Sequence, residues 1–294
     1  MSTPISAKLV AELRARTGAG MMDCKKALEE TGGNMDQAVD LLRKKGIAKA
    51  EKRAGRAASE GQIVARISPD GHTGVLIELN CETDFVARTD EFKALAASIA
   101  AHVAQDASVN GVLTVGPEDA YLAGKWSQGG ANTVGDVVKA GSAKTGENVV
   151  LRRVARFASP GTVGAYLHHN GKVAVLADLE GGTGDGVTQL AKSVAEHVAA
   201  GVPSVAVAVD RDGVDDHIIE RERAIYAEQA ASSGKPANIV EKMVSGRMEK
   251  FFSEVTLLNQ PWVRDDARTI RQLVAEAGKG ITVKRFARFQ MGEE

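Results

Sequence analysis

An internal repeat narrows the possible folds of this chain of 294 residues. The strand-like sequence VLIEL from Val75 returns as VLADL from Val175. The helix-like sequence LAASIAAHVA from Leu95 returns as LAKSVAEHVA from Leu190, with seven of ten positions identical. The repeat therefore predicts a core of two related units, each with strands followed by a helix, and so an α+β fold.

Alternating apolar residues indicate the strands of each unit. Residues 63–67 alternate before a Pro-Asp-Gly turn at 69–71, which predicts a β-hairpin, and a helix is expected from about Thr89. A third pair of similar sequences, called the third echo below, consists of VLRRVARF, which ends at Phe157, and VKRFARF, which ends at Phe289. Both segments alternate as strands do, and we expect the last strand to pair within the second unit.

The N-terminal residues have helical periodicity instead. Residues 9–13 present one apolar face, a Gly-Ala-Gly turn at 18–20 precedes a second helix, and Asn34 opens a third with a sequence that resembles a capping box. We expect the third helix to end at residues 44–46. The basic segment 44–56 then reads as a linker.

A helical hairpin is predicted between the two strand segments of the third echo. Two segments with helical periodicity flank the turn Ser233-Gly234-Lys235-Pro236. Their narrow apolar stripe suits an antiparallel coiled coil that projects from the core. The predicted domains are 1–55 for the helical domain with its basic linker, 56–146 for the first core unit, 147–202 and 256–294 for the second core unit, and 203–255 for the hairpin.

Charge and cysteine content exclude several functional classes. The 37 basic and 38 acidic residues nearly balance, which argues against a surface adapted to phosphate backbones. The two cysteines, Cys24 and Cys81, lack the spacing of a zinc site or a disulfide framework. No apolar run reaches the length of a membrane span. We expect a cytoplasmic protein that binds neither membranes nor nucleic acid directly.

Catalytic motifs are missing from the sequence. It has no phosphate-binding loop, dinucleotide fingerprint or nucleophile elbow, and the glycine-rich GGTGDG from Gly181 lacks the lysine of a nucleotide-binding loop. His102 and His197 hold equivalent positions in the repeat, which is typical of packing or surface residues. We expect His168 and His169 to be neighbours in a strand that face opposite ways, so that they cannot bind one metal ion. No enzyme activity, cofactor or metal is expected.

The two copies of the repeat differ between strand and helix. The first copy spends fourteen residues there, 81–94, whereas the second spends nine, 181–189. The additional residues lie in the segment 81–88 and place Asp84 beside Phe85. Because the second copy closes without them, they are not required by the fold, and an acid with an aromatic on a loop indicates a contact site. The alternative is that Phe85 anchors the loop in its own core.

The chain resembles the elongation factor Ts family over nearly its whole length. The segments that carry the resemblance are LVAELRARTGAGMMDCKKALEETGGNMDQAVDLLRKKG from Leu9, NCETDFVA from Asn80, SGKPANIVEKMVSGRMEKF from Ser233 and QPWV from Gln260. The resemblance implies a ubiquitin-associated-like N-terminal domain, a core of two α+β subdomains, and a coiled-coil excursion that can mediate a homodimer. It implies a guanine nucleotide exchange factor that promotes GDP release from elongation factor Tu, without covalent chemistry.

The same resemblance implies three contact regions. In this family the TDFV segment enters the partner's G domain near its magnesium ion, which here assigns that role to Thr83, Asp84, Phe85 and Val86. Residues of the N-terminal domain would form a second surface, and one residue of the second core hairpin a third: Arg14, Met21, Met22 and Lys25, and His168, respectively. Whether one copy binds one elongation factor Tu or two complexes form a symmetric pair stays open.

Two rival interpretations remain. The N-terminal helices resemble a ubiquitin-associated domain and the following segment is basic, so a binding module for ubiquitin or RNA is the main rival, although it accounts for only a quarter of the chain. A salt-sensitive RNA gel shift would favour the RNA version. A nucleotide hydrolase that uses GGTGDG would bind GDP by itself.

Overall fold

The computed structural model describes residues 5–128, 133–232 and 234–293. The helices are α1 (Ala7–Thr17), α2 (Met21–Glu30), α3 (Met35–Glu51), α4 (Asp84–Ala87), α5 (Asp90–Gln105), α6 (Ala120–Ala123), α7 (Val134–Thr145), α8 (Asp185–Ala200), α9 (Asp216–Ala231), α10 (Ala237–Val255) and α11 (Ile270–Ala277). The strands are β1 (Glu60–Ile67), β2 (Thr73–Cys81), β3 (Gly111–Thr114), β4 (Val150–Ala158), β5 (Thr162–Leu167), β6 (Val173–Glu180), β7 (Pro261–Trp262), β8 (Asp265–Thr269) and β9 (Thr282–Gln290). The predicted α+β class, with three N-terminal helices and antiparallel sheets, is confirmed.

Residue contacts divide the chain into two compact units. The first contains Met1–Val64, Ile77–Val154 and Met291–Glu294, and the second contains Ala65–Leu76 and Ala155–Gln290. Strands β1, β2, β4 and β3 form one sheet in that order, and β5, β6 and β9 form another. β7 and β8 make a short two-stranded ribbon.

The N-terminal helices begin where side chains can cap them. The Ser6 Oγ accepts the backbone N–H of Leu9 at 3.2 Å, and the Asn34 Oδ1 accepts that of Gln37 at 3.0 Å. Both bonds satisfy N–H groups that the first turn of a helix leaves free. The helices pack on a small common core in which Leu13 is fully buried.

The third helix is longer than predicted. α3 runs to Glu51, so the expected end at residues 44–46 is wrong and the first part of the predicted linker is helical. The cause is packing against α7, since a Cβ atom on Gly46 would meet the Cβ of Ala143 at 2.9 Å. A glycine inside a helix costs about 1 kcal/mol relative to alanine. Here it permits the two helices to approach closely, and the good helix formers that follow continue the helix.

The two hairpins of the repeat are built alike. In the first, the N–H of Ser68 donates to the carbonyl of Thr73 at 2.8 Å, and in the second, the N–H of His168 donates to that of Val173 at 2.9 Å. Helices α5 and α8 have 16 residues each and begin at equivalent positions. The predicted hairpins and helices are therefore confirmed. The last strand, β9, pairs with β6 in antiparallel register, as predicted.

Each copy also buries one ion pair at an equivalent place. Arg153 donates from Nε to Oε2 of Glu78 at 2.7 Å, and Arg285 donates from Nε to Oδ2 of Asp178 at 2.8 Å. Both carboxylates are fully buried. Glu78 and Asp178 match in the repeat, as do the two arginines, so the duplication extends to buried charge.

Helices α9 and α10 pack against each other and form the predicted helical hairpin. The guanidinium of Arg247 lies 5.8 Å from the ring centroid of Tyr226. In this hairpin Ala230 and Met248 are buried, whereas Ile225 and Ile239 are exposed. The predicted turn includes Ser233, which lies outside the described residues.

Candidate functional site

The extra residues of the first copy form a one-turn helix. Eight residues, 82–89, separate β2 from α5, whereas four residues, 181–184, separate β6 from α8. The eight include α4, whose N-cap is Thr83, with its Oγ1 accepting the N–H of Val86 at 3.4 Å. The predicted loop thus has regular structure at its tip.

Phe85 is the most exposed large apolar side chain on this segment. Its side chain is 80% exposed, while Ala87 on the same turn is buried. The idea that Phe85 anchors the loop in its own core is therefore wrong. Burying such a ring against a partner would contribute roughly 1.5–3 kcal/mol. Beside it, Asp84 forms an ion pair with Arg88, with 2.9 Å between Oδ2 and Nη2.

A single carboxylate holds the start of α4. Glu147 Oε2 accepts the backbone N–H groups of Glu82 and Thr83, each at 3.0 Å. Its other oxygen, Oε1, accepts the hydroxyl of Thr83 at 2.6 Å. Hydrogen bonds to an ionised acceptor are stronger than neutral ones, so this contact fixes the segment that carries Phe85.

Further hydrogen bonds from neighbouring residues hold the segment that carries Phe85. Glu82 Oε1 accepts the N–H of Asn148 at 2.7 Å, and the Asn148 side chain donates to the carbonyl of Arg56 at 2.7 Å. At the other end of α4, Gln62 donates from Nε2 to the carbonyl of Ala87 at 2.8 Å. The exposed ring of Phe85 consequently stands on a backbone that is tied down at both ends.

Cys81 lies at the base of this segment and is chemically quiet. Burial, with a smaller effect from the charge of Glu147, raises the pKa of its thiol to about 12. The thiolate is the nucleophilic form of cysteine, so Cys81 stays protonated and unreactive at neutral pH. Its Sγ donates instead to the carbonyl of Thr83 at 3.2 Å.

The second group of predicted residues lies on the N-terminal helices. Arg14 is on α1, and Met21, Met22 and Lys25 are on α2. All four are exposed, and Met22 exposes 63% of its side chain although it is apolar. Lys25 lies 3.9 Å from a carboxylate oxygen of Glu29.

His168 lies elsewhere, in the second compact unit. It follows the end of β5 at Leu167, and its ring centroid is 4.1 Å from that of His169. The prediction that the two histidines lie in a strand and face opposite ways is therefore wrong, because the chain has already turned. The hydroxyl of Tyr166 lies 3.0 Å from Nδ1 of His168.

Comparison with known proteins decides the family. A family model described as elongation factor TS matches residues 82–293. The chain is 46% identical to the elongation factor Ts of Alkalilimnicola ehrlichii and to that of Methylococcus capsulatus, in each case over 98% of this chain and 92% of the relative. It is 43% identical to the elongation factor Ts of Halothermothrix orenii, over 98% of this chain and 93% of that protein.

The chain belongs to the elongation factor Ts family. The predicted resemblance is thereby confirmed, and with it the function. This chain is a nucleotide exchange factor for elongation factor Tu and not a catalytic enzyme.

Other candidate features of this chain have structural explanations. Gly181, in the glycine-rich segment, has φ +88°, and a Cβ there would lie 1.8 Å from the carbonyl oxygen of Gly280. His102 and His197 are buried and each accepts a backbone N–H, from Ser127 and Val263 respectively. Across the described ranges, no cluster of three or more His, Cys, Asp or Glu could hold a metal ion. No described helix is long and apolar enough to cross a membrane.

Sequence reasoning missed Glu147 and Asn148, although the sequence contains a signal for them. Aligning the third echo on Phe157 and Phe289 sets Glu147 against Lys279, which is a reversal of charge between the copies. The reversal accompanies the difference in length between strand and helix. Two differences between otherwise matched copies indicate that residues 147–148 and the segment 81–88 belong together.

Proposed function

We propose that this protein promotes GDP release from elongation factor Tu by inserting Phe85 into the G domain of its partner, near the magnesium ion. The observation that carries the proposal is the 80% exposure of Phe85 on a segment whose backbone is held by hydrogen bonds at both ends. Asp84 and Val86 lie on the same one-turn helix and Thr83 caps it, so all three belong to the same proposed contact.

The mechanism rests on how a GTPase holds GDP. The GTPase binds the phosphates of GDP largely through a magnesium ion, which requires near-ideal octahedral geometry. An aromatic ring that enters beside this site stabilises a partner conformation in which magnesium and phosphate bind poorly. Because Phe85 is exposed before binding, the interaction gains apolar burial without first removing the ring from a core.

The exchange cycle follows from linkage. If Phe85 insertion weakens nucleotide binding by some factor, nucleotide must weaken binding of the exchange factor by the same factor. GTP in excess can then enter the emptied site and displace this protein. The contact therefore accelerates exchange without a lasting complex.

We infer two further contacts with elongation factor Tu. Exposed Arg14, Met21, Met22 and Lys25 combine apolar and basic groups on one small domain, which suits a surface that docks before Phe85 inserts. His168 is the single proposed contact of the second unit, and its ring is oriented by Tyr166. We further propose that the protein acts in the cytoplasm, in translation.

We also propose the finer domain division given by the sequence. The matched hairpins and 16-residue helices support two related core subdomains, and the small core of α1 to α3 supports a ubiquitin-associated-like domain. The exposed Ile225 and Ile239 support a coiled-coil surface on the hairpin for a second copy of this chain. Light scattering of the Ile225→Glu variant tests that surface, and a wild type that is already monomeric would refute it.

The decisive experiment is release of a fluorescent GDP analogue from elongation factor Tu at increasing concentrations of this protein. Wild type should accelerate release, and Phe85→Ala should lower the saturating rate at least about tenfold if positioning at the magnesium site drives exchange. Val112→Ala is the matched control, because Val112 is 54% exposed and lies on β3, outside the proposed contacts.

Thermal unfolding of the same variants separates contact from folding. Phe85→Ala should leave the melting temperature nearly unchanged, since an exposed ring contributes little to folding. A Phe85→Ala variant with a wild-type saturating rate would refute the proposed insertion.

A further inference from the structure

We propose that Glu147 is the positioning residue that holds Phe85 in the orientation needed for exchange. The inference rests on the proposed role of Phe85. Its basis is the set of three hydrogen bonds from Glu82 and Thr83 that end on one carboxylate, directly before the helix that bears Phe85. Glu147 lies in the connection from α7 to β4, 65 residues from Glu82 in sequence.

The three hydrogen bonds from Glu82 and Thr83 to Glu147 are called the clamp below. The second copy of the repeat shows that the fold does not require this clamp. Lys279 stands at the position of Glu147, Gly280 at that of Asn148, and Gly182 at that of Glu82. In that copy the strand-to-helix connection closes tightly, because Gly181 approaches the carbonyl of Gly280. Strand, helix and hairpin are nevertheless built alike in both copies. The clamp therefore accompanies the inserted helix and not the scaffold.

The physical need for the clamp is the shortness of α4. It has only four residues. Fixing the backbone dihedrals of a single turn costs more free energy than its few hydrogen bonds contribute. Thr83 must keep an extended backbone for its hydroxyl to cap the turn. Glu147 holds both the N–H and the hydroxyl of Thr83, so it fixes the residue on which the turn depends.

Removing the Glu147 carboxylate should widen the range of orientations of the Phe85 side chain without unfolding the first compact unit. The N–H groups of Glu82 and Thr83 would lose their acceptor, and water would replace it because Glu82 and Thr83 are only half-buried. The side chain of Phe85 would then sample several orientations, and only a fraction would fit the partner. The saturating rate of GDP release should therefore fall. The affinity for elongation factor Tu should change less, because other surfaces contribute to it.

Three substitutions at one position test the geometry. Glu147→Ala removes every acceptor, and Glu147→Lys installs the residue of the second copy and sets a cation against two N–H donors. Glu147→Gln can still accept both N–H groups through its carbonyl and donate to the Thr83 hydroxyl through its amide. We expect Ala and Lys to lower the saturating release rate roughly tenfold and Gln to retain most of it. Lys279→Ala is the matched control in the second copy.

Amide hydrogen exchange provides a readout that is independent of the partner. In Glu147→Ala, exchange at residues 82–88 should accelerate while exchange in α5 and β2 stays as in wild type. Equal protection of residues 82–88 in the two proteins would overturn the clamp.

A double-substitution cycle separates positioning from a general structural role. If Glu147 acts through Phe85, Glu147→Ala should reduce the rate of the Phe85→Ala variant by no more than about twofold. If the double variant lost rate by the product of the two single losses, Glu147 would act by another route and the inference would be overturned. If Phe85→Ala alone has no effect, the proposed function fails first. If only Phe85→Ala is impaired and Glu147→Ala is not, the inference alone fails.

Discussion

Nε2 of His197 lies 2.9 Å from Oε1 of Gln260, and both side chains are buried. On the opposite side of the ring, Nδ1 of His197 accepts the backbone N–H of Val263 at 3.2 Å. With one nitrogen accepting and the other donating, the imidazole is satisfied only in its neutral form. Burial lowers the pKa of His197, although the bond to Gln260 acts in the opposite direction.

His102, the equivalent residue of the first copy, is also buried. Nδ1 of His102 accepts the N–H of Ser127 at 3.1 Å, and the ring stacks on Trp126 at 4.6 Å between centroids. Burial lowers the pKa of His102 as well, against the charge of Asp106, which raises it. Two buried neutral histidines thus belong to the core, one in each copy.

The first prediction concerns pH. An unfolded histidine titrates near pH 6.5, and both folded pKa values are lower, so below about 6.5 the unfolded chain binds more protons than the folded one. The free energy of unfolding should therefore fall as the pH drops from 7.5 to 5.5, by at most about 1.4 kcal/mol per pH unit for each histidine. Urea unfolding across that range measures the slope.

The variant that tests this prediction is His197→Asn. Asparagine retains an acceptor for the N–H of Val263 but cannot be protonated, so the slope should decrease. Identical slopes for wild type and His197→Asn would contradict the prediction.

The second prediction concerns the buried ion pair of Glu78 and Arg153. Replacing Arg153 by Met should lower the free energy of unfolding by about 3–5 kcal/mol, because it leaves a fully buried carboxylate without its main partner. The double variant Glu78→Met with Arg153→Met should recover most of that loss, since no buried charge remains. Chemical denaturation of both variants checks this, and a double variant less stable than the single one would contradict it.

Much of the fold could be predicted from local patterns and the repeat. Strand alternation up to residue 67 predicted the first hairpin, and apolar residues at helical spacing after Thr89 predicted α5. The echo that ends at Phe289 correctly assigned β9 to the second unit. These features depend on neighbours in sequence or on a duplicated pattern, which is why a single sequence contains them.

The errors arose where distant residues decide the structure. Gly46 ends a helix by propensity, but packing against Ala143 lets α3 continue, and nothing near Gly46 in sequence reports that contact. At the candidate site, the length difference between copies indicated Phe85, whereas its support by Glu147 comes from a residue more than 60 positions away. Local sequence indicated the proposed contact residue, and only the tertiary structure revealed what holds it.

The third prediction compares two glycines of the second unit. A Cβ on Gly164 in β5 would lie 2.5 Å from the carbonyl carbon of Ala191 in α8, and one on Gly186 would meet no atom within 4 Å. Gly164→Ala should therefore lower the free energy of unfolding by about 1–3 kcal/mol through overpacking. Gly186→Ala should raise it by about 0.5–1 kcal/mol, because alanine is the better helix former. Thermal or urea unfolding of the two variants checks the opposite signs, and destabilisation by Gly186→Ala would contradict the open space.

The fourth prediction separates docking from exchange by salt dependence. Arg14 and Lys25 are exposed cations on the proposed docking surface, and screening weakens exposed charges as ionic strength rises. Replacing both by Ala should raise the protein concentration for half-maximal GDP release several-fold at low salt, while leaving the saturating rate near that of wild type. The proposed insertion of Phe85 is apolar, so Phe85→Ala should instead lower the saturating rate at every salt concentration.

Stopped-flow titrations at about 0.05 M and 0.5 M salt distinguish the two effects, because the Debye length falls from roughly 14 Å to 4 Å over that range. At high salt the Arg14→Ala, Lys25→Ala variant and wild type should converge in half-maximal concentration, since the charges no longer contribute. Lys8→Ala is a suitable control, being an exposed cation on α1 outside the proposed surface. If the double variant lowers the saturating rate as Phe85→Ala does, the N-terminal domain takes part in the exchange step itself and the division between docking and insertion is wrong.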